Sequence, residues 1–462
     1  MFPTGTLASS DIARLVFYLS ALGALLLVGV ILRAKIGLFK KIYMPASLIA
    51  GVIGVILGHN VLGLIPEEMT STWGALPTSL IVIVFSTMLM TADFSGVGSL
   101  KEAKALAIPQ LIMGTTGSFL QIGIPCLLTA FLLTPVFGVN ELFPSTVEVG
   151  WAGGHGTAGG MQEVYDSLGW TEGTSLALTA ATIGLLVGIV GGMVMINHAA
   201  RHGYLSKKVH TERLALTSTT DFTPVGEKKA NAYETVQSGV VESFAFHAAL
   251  IGIAIILGYV IKWALGFLVD GLPLFPMAML GGFIVNRVLC ALKLQKYVDA
   301  RTLSRISGVC LDFLVVAAIS SIRLDVIVDH AVPMLIISIA ALASMLFYFY
   351  WLAPRLFSED WFEQAIVHFG VNTGVTAVGF MLLRVVDPDL ETLGSKAYAI
   401  QAPFTSPLFG GGIVTALIPM AIATYGNVKV GLVSLAIFVA CILIAMLLGC
   451  WHKPDRAYKN QK

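Results

Sequence analysis

Between Glu148 and Glu163 the chain reads Glu148-Val-Gly-Trp-Ala-Gly-Gly-His-Gly-Thr-Ala-Gly-Gly-Met-Gln-Glu163, and six of these sixteen residues are glycine. Each glycine in a helix interior costs roughly 1 kcal/mol relative to alanine, so this run does not predict a plain helix. Glu148, His155, Thr157, Gln162 and Glu163 add side chains that hydrocarbon rejects, although long apolar segments flank the run on both sides. Irregular polar backbone at membrane depth survives only where protein buries it or where it lines a watery cavity. Glycine there leaves the main chain open to a ligand, so that N–H and C=O groups become the binding surface. A second run, His368-Phe-Gly-Val-Asn-Thr-Gly-Val-Thr-Ala-Val-Gly379, repeats the chemistry with small residues, two threonines, one amide and one histidine. Half-helix N-termini offer free N–H groups and a positive dipole end, which suit anions; unwound carbonyls suit Na⁺. Gly154, His155, Gly156 and Thr157 of the first run, with Asn372, Thr373, Gly374 and Thr376 of the second, are therefore the candidate substrate-binding residues. Close helix packing also favours glycine, but it does not require the polar residues.

Other residues carry weaker signals. His155 has three readings, as a metal ligand, a proton carrier or a hydrogen-bonded structural residue; a lone histidine without partners at ligand spacing fits the last best. Ionisable residues inside apolar segments are functional candidates. Asp312 and Asp93 are candidates for holding Na⁺, and Arg323 for pairing with a substrate carboxylate. The rival is that these are helix-end residues that snorkel or pair with one another. Gly184, Gly188 and Gly192 form a small-residue ridge suited to packing. The five cysteines show no zinc spacing. No nucleophile elbow, phosphate loop or HExxH pattern is present, which disfavours an enzyme. No stretch reads as a nucleic-acid surface, and no N-terminal run reads as a removed signal peptide.

These residues need a frame, and composition supplies it. Of 462 residues 56% are hydrophobic and 12% charged, with a net charge of +1, where a soluble domain carries about 25% charged residues. The mean hydropathy is +0.85. The chain is read as an all-α polytopic membrane protein. Apolar stretches long enough to span are predicted at 11–33, 43–64, 75–93, 105–134, 173–197, 244–269, 274–292, 308–328, 331–353, 396–422 and 428–450, about eleven in all. The broken segments 144–166 and 362–386 are left over.

Basic residues set the orientation. All 28 Lys and Arg except Arg14, Lys262, Arg323 and Lys429 fall on one side of this arrangement. With that side cytoplasmic, the N-terminus is outside and the C-terminus inside. Segment 144–166 then begins and ends on the outer face, and 362–386 begins and ends on the inner face, so both are predicted to be re-entrant hairpins. Met44-Pro-Ala-Ser-Leu-Ile-Ala-Gly51 and Phe275-Pro-Met-Ala-Met-Leu-Gly-Gly282 open corresponding spans. The expected plan is two inverted-topology repeats of five spans plus a re-entrant hairpin each, the sequence signature of secondary transporters. Residues 1–202 form the first repeat, 203–241 a polar cytoplasmic connector, and 242–425 the second repeat. Residues 426–462 add an extra C-terminal span and a basic tail.

The run Gly153-Gly-His-Gly-Thr157 resembles the signature of the sodium/glutamate symporters, whose members have two inverted halves with a glycine-rich re-entrant loop in each. The resemblance extends over roughly 12–195 and 245–422. The cytoplasmic loop matches at Gly374, Thr376, Ala377 and Met381, with Asn372 and Thr373 in the preceding turn; Arg323 falls where family members have a basic residue. The second loop lacks a proline that follows the Gly-Ala-Thr pattern elsewhere, the connector is long, and 428–450 is an addition. The resemblance implies Na⁺ as coupling ion with no other cofactor, a homodimer, and an elevator-like movement of the hairpin-bearing domain. The expected function is Na⁺-coupled import of glutamate across a bacterial inner membrane. The alternatives are a Na⁺- or H⁺-coupled carrier of another small carboxylate or sulfonate, a channel, or a membrane sensor.

Overall fold

The computed structural model describes residues 8–41, 44–90, 106–206, 230, 232–237, 239–267, 272–387 and 392–454. Asp93 and most of the 203–241 connector lie outside the described residues. All regular structure among them is helical. Beside short helices at Gly37–Lys41 and Leu324–Asp329, the helices in chain order are α1 (Ser9–Lys35), α2 (Ala46–Leu57), α3 (Glu67–Met88), α4 (Ile108–Phe137), α5 (Ser145–Gly150), α6 (Gly154–Gly160), α7 (Gln162–Ser167) and α8 (Gly173–His202). After the connector come α9 (Ser243–Leu265), α10 (Leu274–Ala291), α11 (Ala300–Ser320), α12 (Ala331–Leu356), α13 (Trp361–Val386), α14 (Leu393–Thr405), α15 (Ile413–Tyr425) and α16 (Asn427–Leu447). Ten of the described helices are long and apolar enough to cross a membrane.

Four expected spans differ from what forms, and one of them, 75–93, simply begins earlier, at Glu67, and ends at Met88. Segment 43–64 yields only the twelve residues of α2, about 18 Å of helix at 1.5 Å per residue; Gly58, followed by polar His59 and Asn60, ends it. Segment 396–422 is two helices, α14 and α15. Between them Ser406-Pro-Leu-Phe-Gly-Gly-Gly412 cannot stay helical, because Pro407 lacks an N–H and Gly410 and Gly411 take φ of +63° and +102°. Segment 308–328 starts earlier, at Ala300, because Asp299 caps α11. Its carboxylate accepts from Arg301 N, Thr302 N and the Thr302 hydroxyl, the last at 2.7 Å. Burial pushes this carboxyl up, but the hydrogen bonds outweigh it and hold it below the usual carboxylate range. Asp312 thus stands in the middle of α11 rather than at its start, and Arg323 lies beyond its end. Asp299→Ala is expected to cost about 1 kcal/mol, the usual worth of an N-cap, read as a lower unfolding temperature.

The chain divides into two compact units, and each draws helices from both sides of the connector. Unit 1 comprises Met1–Ala92, Gly159–Ser167 and Ser218–Leu324. In it α1 packs on α2 and α9 on α10; α2 lies on α11, α10 on α3, and α3 pairs with α11. Close approach relies on the two glycines of the corresponding sequence runs. A Cβ on Gly51 would sit 2.5 Å from Ile319 Cβ of α11, and one on Gly282 would strike the Ser86 carbonyl of α3. Leu22, Leu25, Ala50, Met69, Trp73, Val316 and Ala317 form one core cluster, with the Trp73 indole donating to the Tyr18 carbonyl at 3.1 Å.

Unit 2 comprises Asp93–Ala158, Leu168–Thr217 and Asp325–Lys462. Its long helices α4 and α12 pack together, α4 also against α16, and α8 runs along α5 and α13. A local detail recurs in α4 and α12. Thr129–Leu133 and Tyr348–Leu352 are π-helical, and each run leads into a proline, Pro135 or Pro354. Proline has no N–H and its ring crowds the carbonyl four residues back, so the preceding turn widens. After each wide turn the chain enters a glycine-rich segment.

Candidate functional site

Segment 361–386 is helical at both ends and broken in the middle. Gly374 (φ −156°, ψ 34°) and Val375 (φ 65°, ψ 173°) leave the helical region. A β-branched residue at positive φ is an outlier that its surroundings must hold in place. The break reverses the chain. A Cβ on Gly370 would lie 2.5 Å from Gly379 Cα and 2.6 Å from its nitrogen, a contact that one straight helix, rising 1.5 Å per residue, does not permit. The two limbs of α13 are therefore a helical hairpin whose backbones touch through Gly370 and Gly379.

Segment 144–166 breaks at the corresponding place. Gly150, Gly154, Gly159 and Met161 match Gly370, Gly374, Gly379 and Met381 at constant spacing. Here α5 ends at Gly150, α6 begins at Gly154 with φ +69°, and Trp151–Gly153 turn between them. Gly154–Ala158 of the later limb belong to unit 2 and Gly159–Ser167 to unit 1, where Gly159 lies against Pro77 and Gly160 against Ile81 of α3. Within unit 2 the two breaks meet, since a Cβ on Gly154 would fall 2.5 Å from Val375 Cγ1. The ridge on α8 holds both from one side. Gly184 lies against the Thr373 carbonyl and the Trp151 ring, Gly188 against the Thr373 hydroxyl, and Gly192 against Leu382.

Polar groups surround this meeting point, and no lysine or arginine is buried among the described residues. Gln121 Nε2 donates to the Asn372 carbonyl at 2.6 Å, Asn372 Nδ2 to the Tyr348 hydroxyl at 3.4 Å, and that hydroxyl to the Met113 carbonyl at 2.8 Å. Deeper along α13, His368 Nε2 donates to Gln110 Oε1 at 2.5 Å, and Gln110 Nε2 donates to Gln364 Oε1 at 2.8 Å. Among the buried atoms without a protein partner are the Thr157 hydroxyl, Gln121 Oε1 and the Trp151 indole nitrogen. Buried polar groups are normally satisfied, and each exception needs a reason. A ligand seated at the breaks supplies one.

The expected residues divide accordingly. Gly154, Thr157, Asn372, Thr373 and Gly374 belong to the breaks or their first turns, and Gly156 is buried in α6. His155 is buried with Nε2 3.0 Å from the Thr182 hydroxyl, the hydrogen-bonded structural arrangement. Thr373 spends its hydroxyl on the Phe369 carbonyl at 2.8 Å, which leaves its main chain as the usable part. Thr376 is exposed, 3.4 Å from the Tyr398 hydroxyl. Arg323 and Asp312 both belong to unit 1 and are exposed; Asp312 takes a hydrogen bond from Ser47. No described group of three or more His, Cys, Asp or Glu is arranged to hold a metal ion. Gln110, Gln121 and Tyr348 are site residues that motif reading missed. The available signal was polar side chains inside long apolar spans.

Comparison with known proteins gives one consistent picture. Residues 15–387 match the family model described as Sodium/glutamate symporter. A sodium/glutamate symporter of Escherichia coli (strain K12) is 24% identical over 243 residues, 51% of this chain and 56% of that protein. The sodium/glutamate symporter of Shigella flexneri matches to the same extent. The chain spans about half the length of the curated relatives it matches.

Proposed function

This chain belongs to the sodium/glutamate symporter family, and from that premise we propose that it imports glutamate coupled to Na⁺. It is a multi-pass membrane protein, placed by its family in the bacterial plasma membrane. The observation that carries the proposal is the contact of Gly154 with Val375, because two helices start there. The first-turn N–H groups of α6 and of the second limb of α13 have no intrahelical partner, and their dipole ends are positive. That suits a carboxylate without any buried cationic side chain. The limbs that arrive at the breaks end instead in carbonyls, at Gly150 and around Thr373, which suit Na⁺. Gln121 and Tyr348 position the Asn372 turn of this site from the side.

The repeats, the topology and the movement belong to the same reading. Matching π turns, matching prolines and the glycine register support two inverted copies, N-terminus outside and C-terminus inside. The two compact units, each built from both copies, support an elevator-like movement of the hairpin-bearing body in a homodimer. Moving one charge through 100 mV is worth about 2.3 kcal/mol, and an inside-negative membrane opposes uptake of anionic glutamate. One Na⁺ neutralises the step, and more make the potential assist it. A related carrier of another carboxylate or a sulfonate uses the same geometry. Competition of labelled glutamate uptake by unlabelled carboxylates and sulfonates separates the two.

Thr157→Val tests the site. Its hydroxyl is buried and lacks a protein partner, so removing it costs the fold nothing and relieves about 1 kcal/mol of unsatisfied burial. If the substrate supplies the missing partner, affinity falls by roughly tenfold, the worth of one hydrogen bond of about 1.4 kcal/mol. Unchanged affinity in a folded Thr157→Val protein places the substrate elsewhere.

A further inference from the structure

Gln121 stands beside the break in α13 with half of its amide unused. It is fully buried in α4. Its Nε2 donates to the Asn372 carbonyl at 2.6 Å, whereas its Oε1 is buried with no hydrogen-bond partner. Chemistry fixes which head is which, because a carbonyl accepts from an NH₂ and offers nothing to an oxygen. The unpaired head is therefore an acceptor. A buried amide oxygen without a donor is costly, and the fold leaves this one standing.

The place of Gln121 follows from how α4 lies on the first limb of α13. Gln110 bonds Gln364 and His368. A Cβ on Gly114 would lie 3.6 Å from His368 Cε1, and one on Gly117 2.5 Å from Asn372 Nδ2. The two helices thus run parallel, and Gln121, one turn beyond Gly117, is level with the last carbonyls before the break at Gly374. A helix C-terminus leaves carbonyls unpaired and is the negative end of the dipole. An orphan acceptor at that end calls for a cationic donor, and no lysine or arginine is buried among the described residues.

An orphan of opposite sign lies in the other break. The Trp151 indole N–H can only donate, and it is buried without a partner. Its ring packs on Gly184, the glycine that also meets the Thr373 carbonyl. One unpaired acceptor and one unpaired donor at the joined breaks match a ligand that carries an ammonium as well as a carboxylate. For Oε1 itself an ammonium fits better than Na⁺. A sodium ion gathers several oxygens at once, and the Asn372 carbonyl beside Oε1 already accepts from Nε2. An N–H donor needs only the one acceptor.

We propose that Gln121 Oε1 accepts a hydrogen bond from the substrate ammonium and so selects amino acids over the corresponding dicarboxylates. Nε2 keeps its hold on the Asn372 carbonyl while Oε1 binds. The inference deepens the transport reading, on which it rests, by making the ammonium a required part of the substrate.

The test is binding to the purified full-length protein in Na⁺, read as the ligand concentration that half-maximally raises the unfolding temperature. The ligands are pairs that differ only in the amino group: glutamate and glutarate, aspartate and succinate, cysteate and 3-sulfopropionate. Wild type should prefer the amino-bearing member by roughly 10- to 100-fold, the worth of one hydrogen bond to a charged group. Gln121→Leu should lose that preference by weakening the amino acid and sparing its partner; Gln121→Met does the same if the leucine variant does not fold. Gln121→Glu keeps an oxygen in place of Oε1 and should retain the preference. If Gln121→Leu weakens both members alike, Gln121 only positions Asn372, and the proposal is overturned. If the preference survives in Gln121→Leu while the half-saturating Na⁺ concentration rises about tenfold, Oε1 faces the ion, which also overturns it. Wild type that binds glutarate as tightly as glutamate overturns it even when glutamate is carried. A preference seen in another pair and lost in Gln121→Leu, with no binding of glutamate, upholds the role of Gln121 and is a failure of the glutamate reading alone. Binding of no amino-bearing ligand overturns both.

Discussion

Gly154→Val is expected to abolish uptake while leaving a folded, membrane-inserted protein. Two costs add at this residue. Gly154 holds φ +69°, a left-handed conformation that costs a side-chain-bearing residue about 1–2 kcal/mol. The added Cβ also falls 2.5 Å from Val375 Cγ1, an overlap of the kind that costs about 1–3 kcal/mol. Together, about 3 kcal/mol corresponds to a loss of the joined tips by roughly 100-fold. Gly138→Ala separates the two causes. Gly138 has a similar φ of +66°, but nothing lies within 4 Å of its added Cβ. It should lose a little stability and keep its uptake. Equal uptake in Gly154→Val and wild type would remove the tip contact from the transport path.

Gly370→Val should act on the fold itself. Its Cβ would meet Gly379 Cα at 2.5 Å and Gly379 N at 2.6 Å, and backbone cannot swing aside as a flexible side chain does. The hairpin of α13 must open, and with it the seat of Thr373 against Gly184 and Gly188 on α8. The expected result is a markedly lower unfolding temperature in detergent together with lost uptake. Gly191→Ala is the matched control, because its Cβ would find Phe369 Cζ at 3.5 Å, ordinary contact distance. A stable, active Gly370→Val protein would show that the limbs do not fold back on one another.

Much of this was legible because it is local. Glycine density and stranded polar side chains mark both broken segments, and runs of apolar residues mark most of the long helices. The rest depends on contacts between distant segments. Gln110 and Gln121 look like isolated polar residues in an apolar span, and only the fold brings them to His368 and to the Asn372 carbonyl. Hydropathy merged 396–422 into one span because Leu408 and Phe409 keep the average high across Gly410–Gly412, although Pro407 and three glycines are a stop signal. That stop is where Glu148 docks. Hydropathy likewise began α11 too late, since it does not register the Asp299 cap. The division into units could not be read at all from local pattern, because α2 packs on α11 and α10 on α3 across the connector.

We propose that the joined breaks form a coupled transport site for an anionic amino acid. Its most direct test is uptake of labelled glutamate into proteoliposomes holding the purified protein, with an inward Na⁺ gradient and with choline in its place. Accumulation above equilibrium is expected with Na⁺ and none with choline. Full uptake in choline would contradict Na⁺ coupling, and uptake that merely equilibrates in Na⁺ would contradict a coupled carrier altogether.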